Sequence, residues 1–129
     1  MDWLTSNATF MMERATQFLW AKQTAILDNI SNVETPNYKT KYVTFEEALR
    51  GRLRTASGNS RPYASIRDAL EEARPITHEA STETARMDVN GVNLSEQGVE
   101  LARNTYQIQY AMNAVNSDLS ILRTAIKGT

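Results

Sequence analysis

"LSEQGVELARNTYQIQYAMNAVNSDLSILRTAI", residues 94–126, decides the fold. Leu94, Gly98, Leu101, Thr105, Ile108, Met112, Val115, Leu119, Leu122 and Ile126 follow alternating spacings of four and three, the heptad rhythm of a helix that packs along another helix. Gly98 and Thr105 weaken the first half of that seam. Asn93 is placed to cap the helix, with Glu96 at the third helical position. Arg123 and Lys127 put positive charge in the last turn, and Gly128 can close it. At about 1.5 Å per residue the helix is on the order of 50 Å long. An apolar seam of that length requires a partner.

The partner stands at the other end of the chain. From Trp3 to about Ile30 the apolar residues Leu4, Ala8, Met11, Ala15, Phe18, Ile26 and Ile30 recur with helical spacing, widened by Met12 and Leu19 and interrupted by Lys22. Neither Pro nor Gly occurs before Pro36, so one long amphipathic helix is the economical reading. Its methionines are adaptable packing material and not a cofactor box. Each helix carries one stripe and neither covers its own. Met11, Phe18 and Ile26 are therefore expected to face Leu101, Ile108, Met112, Val115, Leu119, Leu122 and Ile126. The expected fold class is all-α: long N- and C-terminal amphipathic helices packed as a coiled-coil-like pair, with a short extended or turn segment and a flexible middle insert.

Four segments follow. Residues 1–34 form the first helix, and 35–49 hold a turn and a short extended and helical stretch. "YKTKYVTF" favours extended backbone, and Thr44 with Glu47 makes a capping box for a short helix through Leu49. Residues 50–88 read as a flexible insert, with one or two helical turns conceivable from Ser65 to Arg74, before Pro75. Residues 89–129 hold the heptad helix.

Composition narrows the function. The chain has 129 residues, one domain or less, with 41% hydrophobic content and a formal charge of −1, which argues against nucleic acid or an anionic membrane as partner. With no cysteine, thiol catalysis, disulfides and thiolate metal sites are excluded. The first residues lack the features of a cleaved secretory signal, and no apolar run approaches the roughly 20 residues that cross a bilayer, so direct membrane insertion is not expected.

Nothing in the chain assembles a catalytic or metal-binding constellation. His78 has no His or Cys companion and reads as a solvated histidine. Glu46-Glu47 and Glu71-Glu72 are adjacent in sequence, diverge on a helix, and read as surface charge. "DVNGVN", residues 88–93, lacks the ligand spacing of a calcium loop and reads as a turn into the second helix. Arg50, Arg52 and Arg54 are a weak phosphate signal, and no phosphate loop or nucleophile elbow occurs. Neither enzymatic activity nor a cofactor is expected.

The remaining motif is "LDNISNVETPNYK", residues 27–39. Ile30 and Val33 continue the buried stripe, Asn29 and Asn32 can bond exposed backbone at the helix end, and Thr35 before Pro36 turns the chain out of the helical layer. Tyr38 is placed to pack or hydrogen-bond against a neighbour. The stretch closely resembles the "ANNIANxxTPGYK" signature of flagellar rod, hook and related axial proteins. It agrees at Asn29, Ile30, Asn32, Thr35, Pro36, Tyr38 and Lys39. It departs at Leu27, Asp28, Ser31 and Asn37, the last replacing Gly by the residue best able to share its positive φ.

"VTFEEAL", the C-terminal helix and the short length look most like one of the two sister proximal rod proteins within that family. The resemblance covers both ends and little of residues 50–86. It implies a structural rod subunit, exported by the flagellar type III apparatus without a cleaved signal. It also implies assembly in the periplasm with itself, other rod subunits and basal-body or export-apparatus proteins, and transmission of torque for motility. A soluble helical adaptor forming a closed dimer through its heptad seam is the competing reading from the residues alone.

Overall fold

A computed structural model describes residues 6–58, 62–80 and 91–128. Expectations for Trp3, Leu4 and residues 88–90 lie outside them. Helix α1 spans Asn7–Ser31 and is capped by Ser6, whose Oγ accepts the Thr9 N–H at 3.2 Å. Strand β1, Lys41–Thr44, follows the turn and leads into helix α2, Glu46–Ser57. Helix α3, Pro62–Glu72, begins on a proline, which loses no helical hydrogen bond there. Strand β2, Ile76–Glu79, pairs antiparallel with β1 in the register Lys41↔Glu79, Tyr42↔His78, Val43↔Thr77 and Thr44↔Ile76. Helix α4, Leu94–Lys127, is capped as its sequence predicts: Asn93 Oδ1 accepts the Glu96 N–H at 3.2 Å, and Gly128 closes it at φ 70°.

The described chain is mostly helical. α1 lies at its centre, in contact with α4, β1 and α3. α1 and α4 run antiparallel, since Asn29 meets Gln97 near one end while Leu19 and Gln23 meet Asn104 further along. Their contact differs from the expected seam. Leu101, Ile108, Val115 and Leu122 are half-buried as the heptads require, but Met112, Leu119 and Ile126 remain 45%, 53% and 68% exposed. Gln97, Asn104, Ala111 and Asp118, one residue earlier than the expected positions, turn inward instead. The amides decide this rotation. Gln97 and Asn104 find partners on α1, which neither Gly98 nor Thr105 could supply; Thr105 Oγ1 bonds back to Leu101 O. On α1, Ile26 is buried but Met11 is exposed, and Phe18 stacks on Phe45 at 5.3 Å, on the side of the second core.

That second core is absent from the sequence reading. Phe45, Leu49, Leu70 and Ala73 are buried together, with Phe10, Phe18, Leu53 and Ile66 packed against them. Phe45, Leu49 and Leu53 share one face of α2, and Ile66, Leu70 and Ala73 one face of α3 and its end, through spacings of three and four. Residues 50–88, expected as a flexible insert, thus carry most of α2, all of α3 and β2. The helix expected to stop at Leu49 runs on to Ser57 because Leu53 extends its apolar face. Thr44 Oγ1 lies 2.7 Å from His78 Nε2, and His78, expected in solvent, is half-buried and stacked on Tyr42 at 5.2 Å.

Arg14 joins the two cores. It is 8% exposed on α1, and its Nε donates to Leu70 O at 2.8 Å and its Nη2 to Glu71 O at 3.3 Å. Both carbonyls lie in the last turn of α3, where the helix dipole presents negative charge. The buried guanidinium is satisfied by that helix end together with Gln17, whose Oε1 accepts from Nη1 at 2.7 Å.

Candidate functional site

The signature turn stands where the end of α1, the start of β1 and the start of α4 meet. Its centre is Asn29, 1% exposed in the last helical turn. Its Nδ2 donates to Lys41 O at 2.8 Å, and its Oδ1 accepts the Lys41 N–H at 2.8 Å. A primary amide carries donor and acceptor side by side as a peptide does, so Asn29 binds the backbone of Lys41 as a neighbouring strand would. Nδ2 also donates to Gln97 Oε1 at 3.0 Å, and Tyr38 Oη donates to Oδ1 at 3.2 Å. All four hydrogen-bonding positions of the amide are filled.

Asn32 holds the helix end. Its Nδ2 donates to Asp28 O at 2.8 Å, its Oδ1 accepts from Thr35 Oγ1 at 3.1 Å, and its carbonyl accepts the Thr35 N–H at 3.0 Å. Thr35, Pro36, Asn37 and Tyr38 then turn the chain, with the Tyr38 N–H on Thr35 O at 3.4 Å. Pro36 in the second place and Asn37 at φ 59° in the third are the pattern of a type II turn. Asn37 thus has the positive φ expected of a residue standing for Gly.

The turn is tied to α4 by its flanks. The Gly91 N–H donates to Tyr38 O at 3.2 Å, and Thr40 Oγ1 donates to Gly91 O at 2.9 Å. Burial removes water from the Tyr38 phenol and raises its pKa, opposed by nearby Lys41. The hydroxyl therefore keeps the proton that it donates to Asn29.

Of the signature residues, Asn29 and Tyr38 are brought together with Gln97, Ile30 and Asn32 are half-buried beside them, and Thr35, Pro36, Asn37 and Lys39 face outward. Met11, Phe18, Leu101, Ile108, Met112, Val115, Leu119, Leu122 and Ile126 lie along the helices as described above, while Ile26 lines one cavity with Thr40, Lys41 and Gln97. Sequence reasoning missed Lys41, whose backbone is the main partner of Asn29, as well as Gln97 and Arg14. Gln97 and Asn104 carried a signal: two amides seven residues apart flank the weak positions Gly98 and Thr105. Nothing local marked Lys41.

A fully bonded amide network fixes geometry and offers no nucleophile or base. Among the described residues no group of three His, Cys, Asp or Glu could hold a metal ion, and no helix is long and apolar enough to cross a membrane.

No family model matches the chain. It is 28% identical over 126 residues to the flagellar basal body rod protein FlgB of Bacillus subtilis, covering 97% of each chain. It is 32% identical over 108 residues to proteins of the same name from two strains of Cereibacter sphaeroides, covering 80% of each chain.

Proposed function

The chain belongs to the family of flagellar basal body rod proteins FlgB, and from that premise we propose that it is a subunit of the proximal rod that assembles helically and transmits torque for motility. It is a structural component of the flagellar basal body and assembles with other components there. In this reading it is not an enzyme. It leaves the cytoplasm through the flagellar type III apparatus without a cleaved signal, reaches the periplasm, and packs there against its own copies and other rod subunits. α1 and α4 act as a coiled-coil-like pair within each subunit. The exposed residues Thr35, Pro36, Asn37 and Lys39 present the signature turn to a neighbour.

One observation carries the assembly reading. Met112, Leu119 and Ile126, three positions of the sequence seam, stay 45–68% exposed along one edge of α4, though their spacing is that of a packed helix face. An apolar edge left exposed among the described residues suits contact with the next subunit, and a contact that does not close on itself generates an open helical assembly. The test is Met112→Glu with Leu119→Glu in a strain lacking the native protein. Secretion and the melting temperature of the purified subunit should hold while swimming is lost. Normal swimming would remove the edge from the assembly.

A further inference from the structure

We propose that the buried amides of the α1–α4 contact are a register lock: Gln97 and Asn104 select one sliding position of α4 along α1, among several that the apolar seam accepts equally well. The apolar half of the seam is degenerate. Leu101, Ile108, Val115 and Leu122 repeat every seven residues with side chains of similar size, so sliding α4 by one heptad, about 10 Å, sets each on the place of its neighbour. Along these four positions such a slip changes apolar packing little, so what opposes it is polar: the amides, aided by the Lys22–Glu100 pair and the Gly91 bonds to Tyr38 and Thr40.

The amides do not tolerate it. Gln97 is 9% exposed and accepts from Asn29, while Asn104 is 0% exposed and donates to Leu19 O at 3.0 Å and to Gln23 Oε1 at 2.7 Å. If Gln97 slides into the place of Asn104, it still meets Gln23. Asn104 then takes the place of Ala111 beside the apolar part of α1, and Asn29 loses Gln97. If Asn104 slides the other way to meet Asn29, Ala111 stands opposite Gln23 and Gln97 passes beyond its partner. Each slip keeps one amide contact and strands others, and a stranded buried amide is costly. Two amides seven residues apart thus distinguish registers that four aliphatic residues do not.

The lock lowers stability. Asn104 Oδ1 is buried with no hydrogen-bond partner, a cost that an aliphatic residue at this position would not carry. Polar residues in helix seams are known to trade stability for a single register in this way.

Engineered cysteines read the register directly, because the full chain has none of its own. Met12 and Val115 line the same groove between the helices, so Met12→Cys with Val115→Cys reports the native register. Met12→Cys with Ile108→Cys reports the slip that brings Gln97 to Gln23. Each pair is placed in the full-length subunit, oxidised in dilute solution, and compared with and without Asn104→Leu. The native background should cross-link at 12 and 115 alone. Asn104→Leu should raise the slipped cross-link about tenfold or more while the melting temperature stays level or rises. Leu101→Ala is the control for mere weakening: it should lower the melting temperature and leave the cross-link native. Native cross-linking alone in Asn104→Leu, failure of that variant to fold, or equal slippage in Leu101→Ala would each overturn the proposal.

Discussion

Asn29 shows how much of this fold rests on one amide. Replacing it by Asp preserves shape but removes both donors and sets a carboxylate against Lys41 O and Gln97 Oε1. The variant should lose about 2 kcal/mol or more of stability, read as a lower denaturation midpoint, while Asn29→Gln keeps the amide but sets it one methylene too far out. A midpoint equal to that of the native chain in Asn29→Asp would remove the backbone clasp from the account. Asn37 makes a different demand. At φ 59° a β-branched residue is strained, so Asn37→Val should cost about 1–2 kcal/mol and Asn37→Gly close to nothing. In cells, secreted Asn37→Val with lost swimming would place the defect in assembly. These two residues also mark what was legible. The conformation of Asn37 follows from turn chemistry within four residues, which a sequence displays. The partners of Asn29 lie 9, 12 and 68 residues away, and only the folded chain brings them to it.

At the scale of the helix, caps and lengths were readable because they depend on neighbours in sequence, whereas the rotation of α4 about its axis was not. Heptad spacing specifies a stripe, and its true edge depends on which polar residues find partners across the contact. Leu122 and Leu119 separate the two faces. Leu122→Ala should destabilise the isolated subunit by about 2 kcal/mol, the low end for a leucine that is only half-buried. Leu119→Ala should leave the midpoint within about 0.5 kcal/mol, because the side chain is 53% exposed. Equal losses at both would restore the original seam. Between the helices, Lys22 Nζ meets Glu100 Oε2 at 3.0 Å, and that hydrogen bond is the main cause of the lowered Glu100 pKa, against the opposing effect of burial. A carboxylate with a depressed folded pKa adds stability above its ordinary pKa and loses it as pH falls through the folded value. Acid titration of the native subunit should therefore show a stability loss below the usual glutamate range that is smaller in Glu100→Gln. A curve unchanged by the substitution would leave the ion pair without a role in stability.

The whole molecule divides into a long helical pair and a smaller attachment, and the two should open separately. α2 and α3 are held by the cluster around Phe45 and Leu70 and by the Arg14 bonds to the end of α3, well buried but with a shorter contact on α1 than the one α4 makes along it. Segments with a lower density of tertiary contacts open at free energies below that of global unfolding. The sequence reading of residues 50–88 as flexible missed their helices, because a short amphipathic helix among arginines and small residues displays little pattern until its partner face is known. In the proposed function, a subunit exported unfolded and completed by its neighbours would gain from an attachment that releases early. Hydrogen exchange on the isolated subunit should thus show amides of α2 and α3 exchanging well before those of α1 and of α4 opposite it. Arg14→Ala should speed exchange in α3 by about 10–100-fold, the effect of losing 1–3 kcal/mol of bonds to a buried helix end, and leave α4 unchanged. Because both cores share α1, the opposite result is informative as well. If α4 accelerates with α3, the chain opens as one cooperative unit, and early release of the middle segment has no physical basis.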